Sequence, residues 1–238
     1  MHHIILLCSI VLSAWLLLRC WPAGIEWSQV RFGTGDTLLL LSLVVLLAWS
    51  VWRLIHHARL RLRAQQGLEA EVAVAQSLTP LIAEGAMVFH GFPADMGNID
   101  HIVIGSGAVF AIETQSRKRP ARKGKQSAHV EYDGNLLKFP GGVEERKPLE
   151  QAARQADWLD RFLQSGVGEK IRVVPVLALP GWYVTRVPSD LRARVVVSNC
   201  TNPAFLMDYK FGPPLSEPLR RQIAHVLTER YPRPDVMD

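Results

Sequence analysis

Two long apolar runs open the chain. Residues 4–18 are almost continuously apolar, and residues 37–52 form a second charge-free run rich in Leu and Val. At about 1.5 Å per residue the runs give roughly 22–24 Å of helix, or about 27 Å if the first is counted from residue 1, slightly less than a bilayer core of about 30 Å. Arg19 and Arg53 stand at their ends, where long basic side chains can snorkel to lipid phosphates. Trp21 and Trp27 follow the first run, and Trp49 and Trp52 close the second. Those are the positions of interfacial aromatic belts. The pattern predicts a transmembrane hairpin over residues 1–57, with spans at about 4–21 and 37–55. A cleaved signal peptide fits less well, because the first run lacks a basic lead and a small-x-small cleavage site. The adjacent His56 and His57 read as a solvated interfacial pair.

The pattern then changes. Leu60, Leu62, Leu68, Val72, Val74, Leu78 and Leu81 recur at roughly helical spacing, with Gly67 as an expected break and Pro80 near the end. Strands are predicted over 86–92, 99–104 and 108–115. Gly105-Ser106-Gly107 would join the last two as a tight hairpin. Residues 130–132 and 136–139 read as a short hairpin around Asp133-Gly134. Residues 149–163 form an amphipathic helix, with strands at 171–179 and 194–198 and helical stretches at 203–209 and 218–230. This order predicts an α/β fold, a mixed central β-sheet flanked by helices. The expected division is a basic juxtamembrane linker or helix over 58–66, a main domain over 67–180, and a segment over 181–238 that completes it.

Composition narrows the class. Of 238 residues, 48% are apolar and 21% charged, which excludes a disordered or low-complexity chain. The net charge is +5. Residues 1–63 hold six basic and two acidic residues, leaving 21 basic and 20 acidic to the rest. The chain is therefore not a uniformly basic, nucleic-acid-coating protein. Arg53, Arg59, Arg61 and Arg63 crowd one side of the second run, so the positive-inside bias places the following domain in the cytoplasm. The predicted location is the inner (cytoplasmic) membrane of a prokaryote, multi-pass, with residues 20–36 as a short outer loop. Cys8, Cys20 and Cys200 are too few and scattered for a disulfide framework or a zinc site.

The chemistry concentrates in residues 98–115. With Gly105-Ser106 as a two-residue turn, Ile104 would pair with Gly107 and Asp100 would lie opposite Ala111. Strand alternation then puts Asp100, Glu113 and Gln115 on one face, with Asp100 and Glu113 diagonal and roughly 7 Å or less apart at Cβ. Two carboxylates on an apolar hairpin are costly unless paired or bound to a cation. Oxygen ligands of this kind suit Mg²⁺ or Mn²⁺.

Gly67-Leu68-Glu69-Ala70-Glu71, Asn98-Ile99-Asp100-His101-Ile102-Val103-Ile104 and Gly107-Ala108-Val109-Phe110-Ala111-Ile112-Glu113-Thr114-Gln115 resemble the nuclease-related domain, NERD. Pro148-Leu149-Glu150-Gln151-Ala152 resembles that family's later helix. The resemblance covers roughly residues 64–180. NERD domains are similar to the PD-(D/E)xK nuclease superfamily, whose restriction-endonuclease-like fold is a mixed sheet between helices. The resemblance implies a Mg²⁺- or Mn²⁺-dependent phosphodiesterase acting on nucleic acid, DNA ahead of RNA. Asp100 and Glu113 would be its metal-binding carboxylates, Glu71 the acid of the first helix, and Gln151 a residue facing the site. In one departure, Gln115 stands where the family has a Lys that orients the attacking water or stabilises developing negative charge. Glutamine can hydrogen-bond water but brings no charge.

Directly after Gln115 come Arg117, Lys118, Arg119, Arg122, Lys123 and Lys125. A phosphate-gripping loop, a solvated loop and a contact with anionic lipid all fit this run. His101 is a residue beside the metal or a structural histidine, and Trp158 is core rather than a base-stacking platform. The expected function is metal-dependent hydrolysis of nucleic acid by a membrane-anchored domain. The alternative is an inactive pseudo-nuclease that serves as a tethered nucleic-acid- or protein-binding module. The bilayer is an expected partner, and no protein partner is legible.

Overall fold

A computed structural model describes residues 33–117, 128–187 and 193–231, together with positions 11, 14 and 15. The chain divides into two compact units, Met1–Gln65 and Gln66–Asp238. The first helix described, α1 (Thr34–Ala83), begins in the former and ends in the latter. Residues 37–52 of it are the charge-free Leu/Val run, and two of the hydroxyls there are satisfied locally. Thr37 Oγ1 donates to the Thr34 carbonyl and Ser50 Oγ to that of Leu46, both at 2.8 Å. The Arg53 guanidinium lies over the Trp49 ring, 5.2 Å from its centroid.

Two expectations change here. Gly67 does not interrupt the helix. An interior glycine costs about 1 kcal/mol, and the helix formers on both sides outweigh it. Pro80 sits within the last turn, and the helix runs three residues past it. Among the described residues one stretch, Leu41–Ala83, is long and apolar enough to cross a membrane, in place of the two expected spans. The expected span at 4–21 falls outside the described residues except for positions 11, 14 and 15.

In the second unit, β1 (Met87–Ala94), β2 (Gly97–Ile104), β3 (Val109–Thr114), β7 (Val173–Ala178) and β9 (Val196–Ser198) form one sheet in the order β1-β2-β3-β7-β9. The first three are antiparallel neighbours; β3, β7 and β9 run parallel. Strand β3 is buried along its whole length, as a central parallel strand should be. A smaller sheet, β6-β5-β4-β8, joins β4 (His129–Tyr132), β5 (Leu137–Phe139), β6 (Val143–Glu145) and β8 (Tyr183–Arg186). Strands β6 and β8 were not anticipated. They have three and four residues and are mostly exposed, so no apolar period marks them.

Helices cover both faces of the larger sheet. On one side, α2 (Lys147–Val167) and α3 (Glu217–Arg230) pack Leu159, Leu163, Ile223 and Leu227 on Ile102, Ile104, Val109 and Ala111. On the other, Val74, Leu78 and Leu81 of α1 meet Val103, Phe110 and Ile112. Residues 203–209, read as helical, form the 3₁₀ turn Pro203–Met207, followed by a second at Tyr209–Phe211.

The β2–β3 hairpin corrects the predicted register. Ile104 pairs with Val109, not Gly107, and Ile102 with Ala111. The loop is the four residues 105–108, closed by Gly105 N–H donating to the Ala108 carbonyl at 3.0 Å and clasped by Leu215 N–H to the Ser106 carbonyl at 2.8 Å. A Cβ on Gly105 would strike the Leu206 carbonyl oxygen, which explains glycine there.

Candidate active site

The site lies where the β2–β3 ladder ends. The last ladder pair is His101 with Ile112; carried one step further, that register brings Asp100 to Glu113, and the Asp100 charge acts on the Glu113 carboxyl. The observed register, two residues from the expected one, would put Asp100 opposite Glu113 where a diagonal was expected. Ile99 and Ile102, three residues apart, both enter the core on the α2 side, so side-chain alternation slips once between them. Across from Asp100, on β1, Gly91 adopts φ +61°, a conformation that costs other residues about 1 kcal/mol or more. Asp100 stands at this slip. Its Oδ2 accepts the Thr114 N–H at 2.7 Å, filling the position where the backbone ladder would have continued.

Glu113 is 6% exposed. Two amides from α2, one turn apart, reach down to it. Gln151 Nε2 donates to Oε1 at 2.7 Å and Gln155 Nε2 to Oε2 at 2.6 Å. Gln155 is 3% exposed, and its own Oε1 is buried without a protein partner. Burial pushes the Glu113 carboxyl up to about 7, and the Asp100 charge pushes the same way against the two amides. Asp100 rises to about 6, again chiefly through burial, with the Thr114 N–H opposing it and the Glu71 charge adding to it. Glu71, half-buried on α1, thus acts electrostatically on both carboxylates.

Gln115 continues β3 beyond its last ladder residue, its N–H donating to the Ala178 carbonyl at 2.9 Å. With Gln151 it lines an open groove of about 670 Å³, bordered by Glu144, Glu145, Arg146 and Lys147. Arg117 is engaged structurally. Its guanidinium pairs with Glu145 and stacks 3.9 Å from the Phe139 centroid, and its carbonyl accepts from Trp182 Nε1 at 3.4 Å. Lys118, Arg119, Arg122, Lys123 and Lys125 lie outside the described residues.

His101 is buried, and its Nδ1 meets His90 Nδ1 at 2.8 Å. Burial and then the His90 charge lower its pKa to about 4, which keeps the ring neutral. Trp158 is core. It stacks on Phe162 with centroids 5.2 Å apart, and its Nε1 donates to Asp95 at 3.0 Å.

The structure therefore brings Asp100, Glu113, Gln151 and, through its field, Glu71 together. Sequence reasoning missed Gln155. Its signal was a polar residue one turn after Gln151, in phase with the buried Ala152, Ala156 and Leu159. Arg146 and Lys147, positive charges bordering the groove that holds Gln115, also went unnoticed. Among the described residues no cluster of three or more His, Cys, Asp or Glu is close enough to form a metal centre. Two acceptor-rich carboxylates, Glu113 buried and Asp100 partly buried, are chemically suited to a hard divalent cation, which would relieve the desolvation that raises both.

Residues 66–180 match NERD, the nuclease-related domain. No curated protein and no solved structure gives a match.

Proposed function

We propose that this is a membrane-anchored, nuclease-related protein whose second unit hydrolyses phosphodiesters of nucleic acid, DNA in preference to RNA, on the cytoplasmic side. The observation that carries this reading is the Asp100–Glu113 pair, in a stretch matching the nuclease-related domain. Asp100 and Glu113 would hold Mg²⁺ or Mn²⁺. When bound, such a cation lowers the pKa of a coordinated water and polarises a phosphoryl oxygen. Gln151 and Gln155 fix the Glu113 carboxylate from both sides, leaving one orientation available for ligation. Gln115, at the groove wall, can orient water through its amide. Arg146 and Lys147 line the same groove together with Glu144, Glu145 and Glu150, and Arg146 Nε lies 3.8 Å from Glu150 Oε1, so the groove itself is of mixed charge. Lys118, Arg119, Arg122, Lys123 and Lys125, the basic residues beyond the structurally engaged Arg117, would add non-specific phosphate attraction.

A second reading rests on Gln115 itself. It cannot stabilise developing negative charge as a lysine would, so the same architecture also suits a tethered nucleic-acid-binding module without turnover. One assay separates the two. The full chain in detergent is incubated with single- and double-stranded DNA and RNA under Mg²⁺ or Mn²⁺. Cleavage that disappears with EDTA and in Asp100→Ala and Glu113→Ala supports the enzyme. Salt-sensitive binding without cleavage, with cleavage restored by Gln115→Lys, supports the binding module. Neither cleavage nor binding overturns both.

A further inference from the structure

Beyond its first unit, α1 has two apolar faces. Ala70, Val74, Leu78 and Leu81 are buried, the last three against the sheet. On another side of the same turns, Leu68, Val72 and Ile82 are 62%, 46% and 52% exposed. Ala75, half-buried, and Thr79, exposed, complete that second stripe. A helix that is apolar on two sides is normally covered on both, and a row of large exposed aliphatics marks an interaction surface.

The spacing identifies the occupant. Positions 68, 72, 75, 79 and 82 alternate steps of four and three, a period of 3.5 rather than 3.6. The same steps run back along α1 through Gln65, Arg61, Ala58, Leu54, Val51 and Leu47. In heptad terms Val51, Ala58, Gln65, Val72 and Thr79 are a positions; Leu47, Leu54, Arg61, Leu68, Ala75 and Ile82 are d positions. Branched residues at a with Leu at d favour two parallel strands, and a polar a residue such as Gln65 fixes register at some cost in stability. Flanking charges permit self-pairing. The facing g and e positions join Ala64 to Glu69 and Glu71 to Gln76, so no like charges meet. Glu69 and Glu71 beside the stripe disfavour an anionic lipid surface as its cover.

We propose that the protein pairs with a second copy of itself through a parallel coiled coil along α1, with Leu68, Val72, Ala75, Thr79 and Ile82 as its seam. The pairing rests on this helix face and not on the nuclease reading. Arg61, at a d position, interrupts the seam where α1 leaves the apolar run.

The test uses the full chain in membranes, with Cys8→Ser and Cys20→Ser and the buried Cys200 retained. Val72→Cys and Ala73→Cys are compared under mild oxidation on non-reducing gels. Val72→Cys should give a species of twice the 26.6 kDa chain mass, at least tenfold stronger than Ala73→Cys or the parent. Equal cross-linking at both positions, none at Val72, or a product of another mass overturns the proposal. In detergent, the doubly substituted Leu68→Glu, Val72→Glu chain should sediment as a monomer where the parent is a dimer, with unchanged far-ultraviolet circular dichroism. A dimer that survives these substitutions overturns the seam.

Discussion

Glu113→Gln should stabilise the protein at pH 8 and lose that advantage near pH 4. The carboxyl binds its proton more tightly in the folded chain, with a pKa of about 7 against an ordinary 4.5. Between those values the folded state holds more protons than the unfolded one, so folding stability falls as pH rises through this window. The full interval, at about 1.4 kcal/mol per pH unit, amounts to about 3 kcal/mol. Because Glu113 is almost fully buried, solvent screening discounts this little. Glutamine matches the protonated carboxyl in shape and in having one donor and one acceptor side. Gln155, whose Oε1 is unpartnered, can turn its amide to accept from the new NH₂ group. The variant therefore mimics the neutral form at every pH.

At about 2–4 °C per kcal/mol for a domain of this size, the melting temperature at pH 8 should rise by roughly 6–12 °C. Tryptophan fluorescence during heating of full-length protein in one detergent, from pH 4 to pH 8 in EDTA, reads the effect. The two melting curves should converge at the acid end and separate progressively above pH 5. A variant less stable than wild type at pH 8, or a constant offset at all pH values, would refute the claim that burial of a charged Glu113 strains the fold.

Mg²⁺ should act in the same direction. Millimolar Mg²⁺ at pH 8 should raise the melting temperature of wild type but not of Glu113→Gln or Asp100→Asn, and equal shifts in all three would place cation binding elsewhere. Gln155→Leu should keep the fold but remove a charge-assisted donor, costing about 2 kcal/mol and pushing the Glu113 titration above 7; an unchanged stability–pH profile would count against the contact. Gly105→Ala should cost about 3 kcal/mol, because its methyl would meet the Leu206 carbonyl and only a shift of the 203–215 segment relieves it. Tyr132→Phe removes a buried hydroxyl bonded to the Val195 carbonyl at 2.8 Å and should lower stability by about 1–2 kcal/mol in urea titration.

How much of this was legible depended on which force set each feature. Strand β3 and helix α2 were readable because burial writes itself into the sequence. Val109–Ile112 is an apolar run, and Leu149, Ala152, Ala156, Leu159 and Leu163 keep a helical period. Strands β6 and β8 were not, because backbone pairing with neighbours in the smaller sheet sets them and their side chains stay mostly exposed. The hairpin register went wrong for a tertiary reason. Gly105-Ser106 has the composition of a two-residue turn, but Leu215, about a hundred residues away, bonds the Ser106 carbonyl of a four-residue loop. The error was harmless to the site because it was a shift of two. Strand faces repeat every two residues, so Glu113 kept its side and only its partner changed, from a diagonal to a direct neighbour of Asp100. A shift of one would have sent Glu113 toward α1 and lost the pair. Gln155 shows the opposite case. Its position in the buried phase of α2 was plain, and a core-facing amide needs a partner. The sequence already placed the Asp100 and Glu113 carboxylates on one face of the hairpin, so asking what Gln155 bonds to would have pointed to that pair.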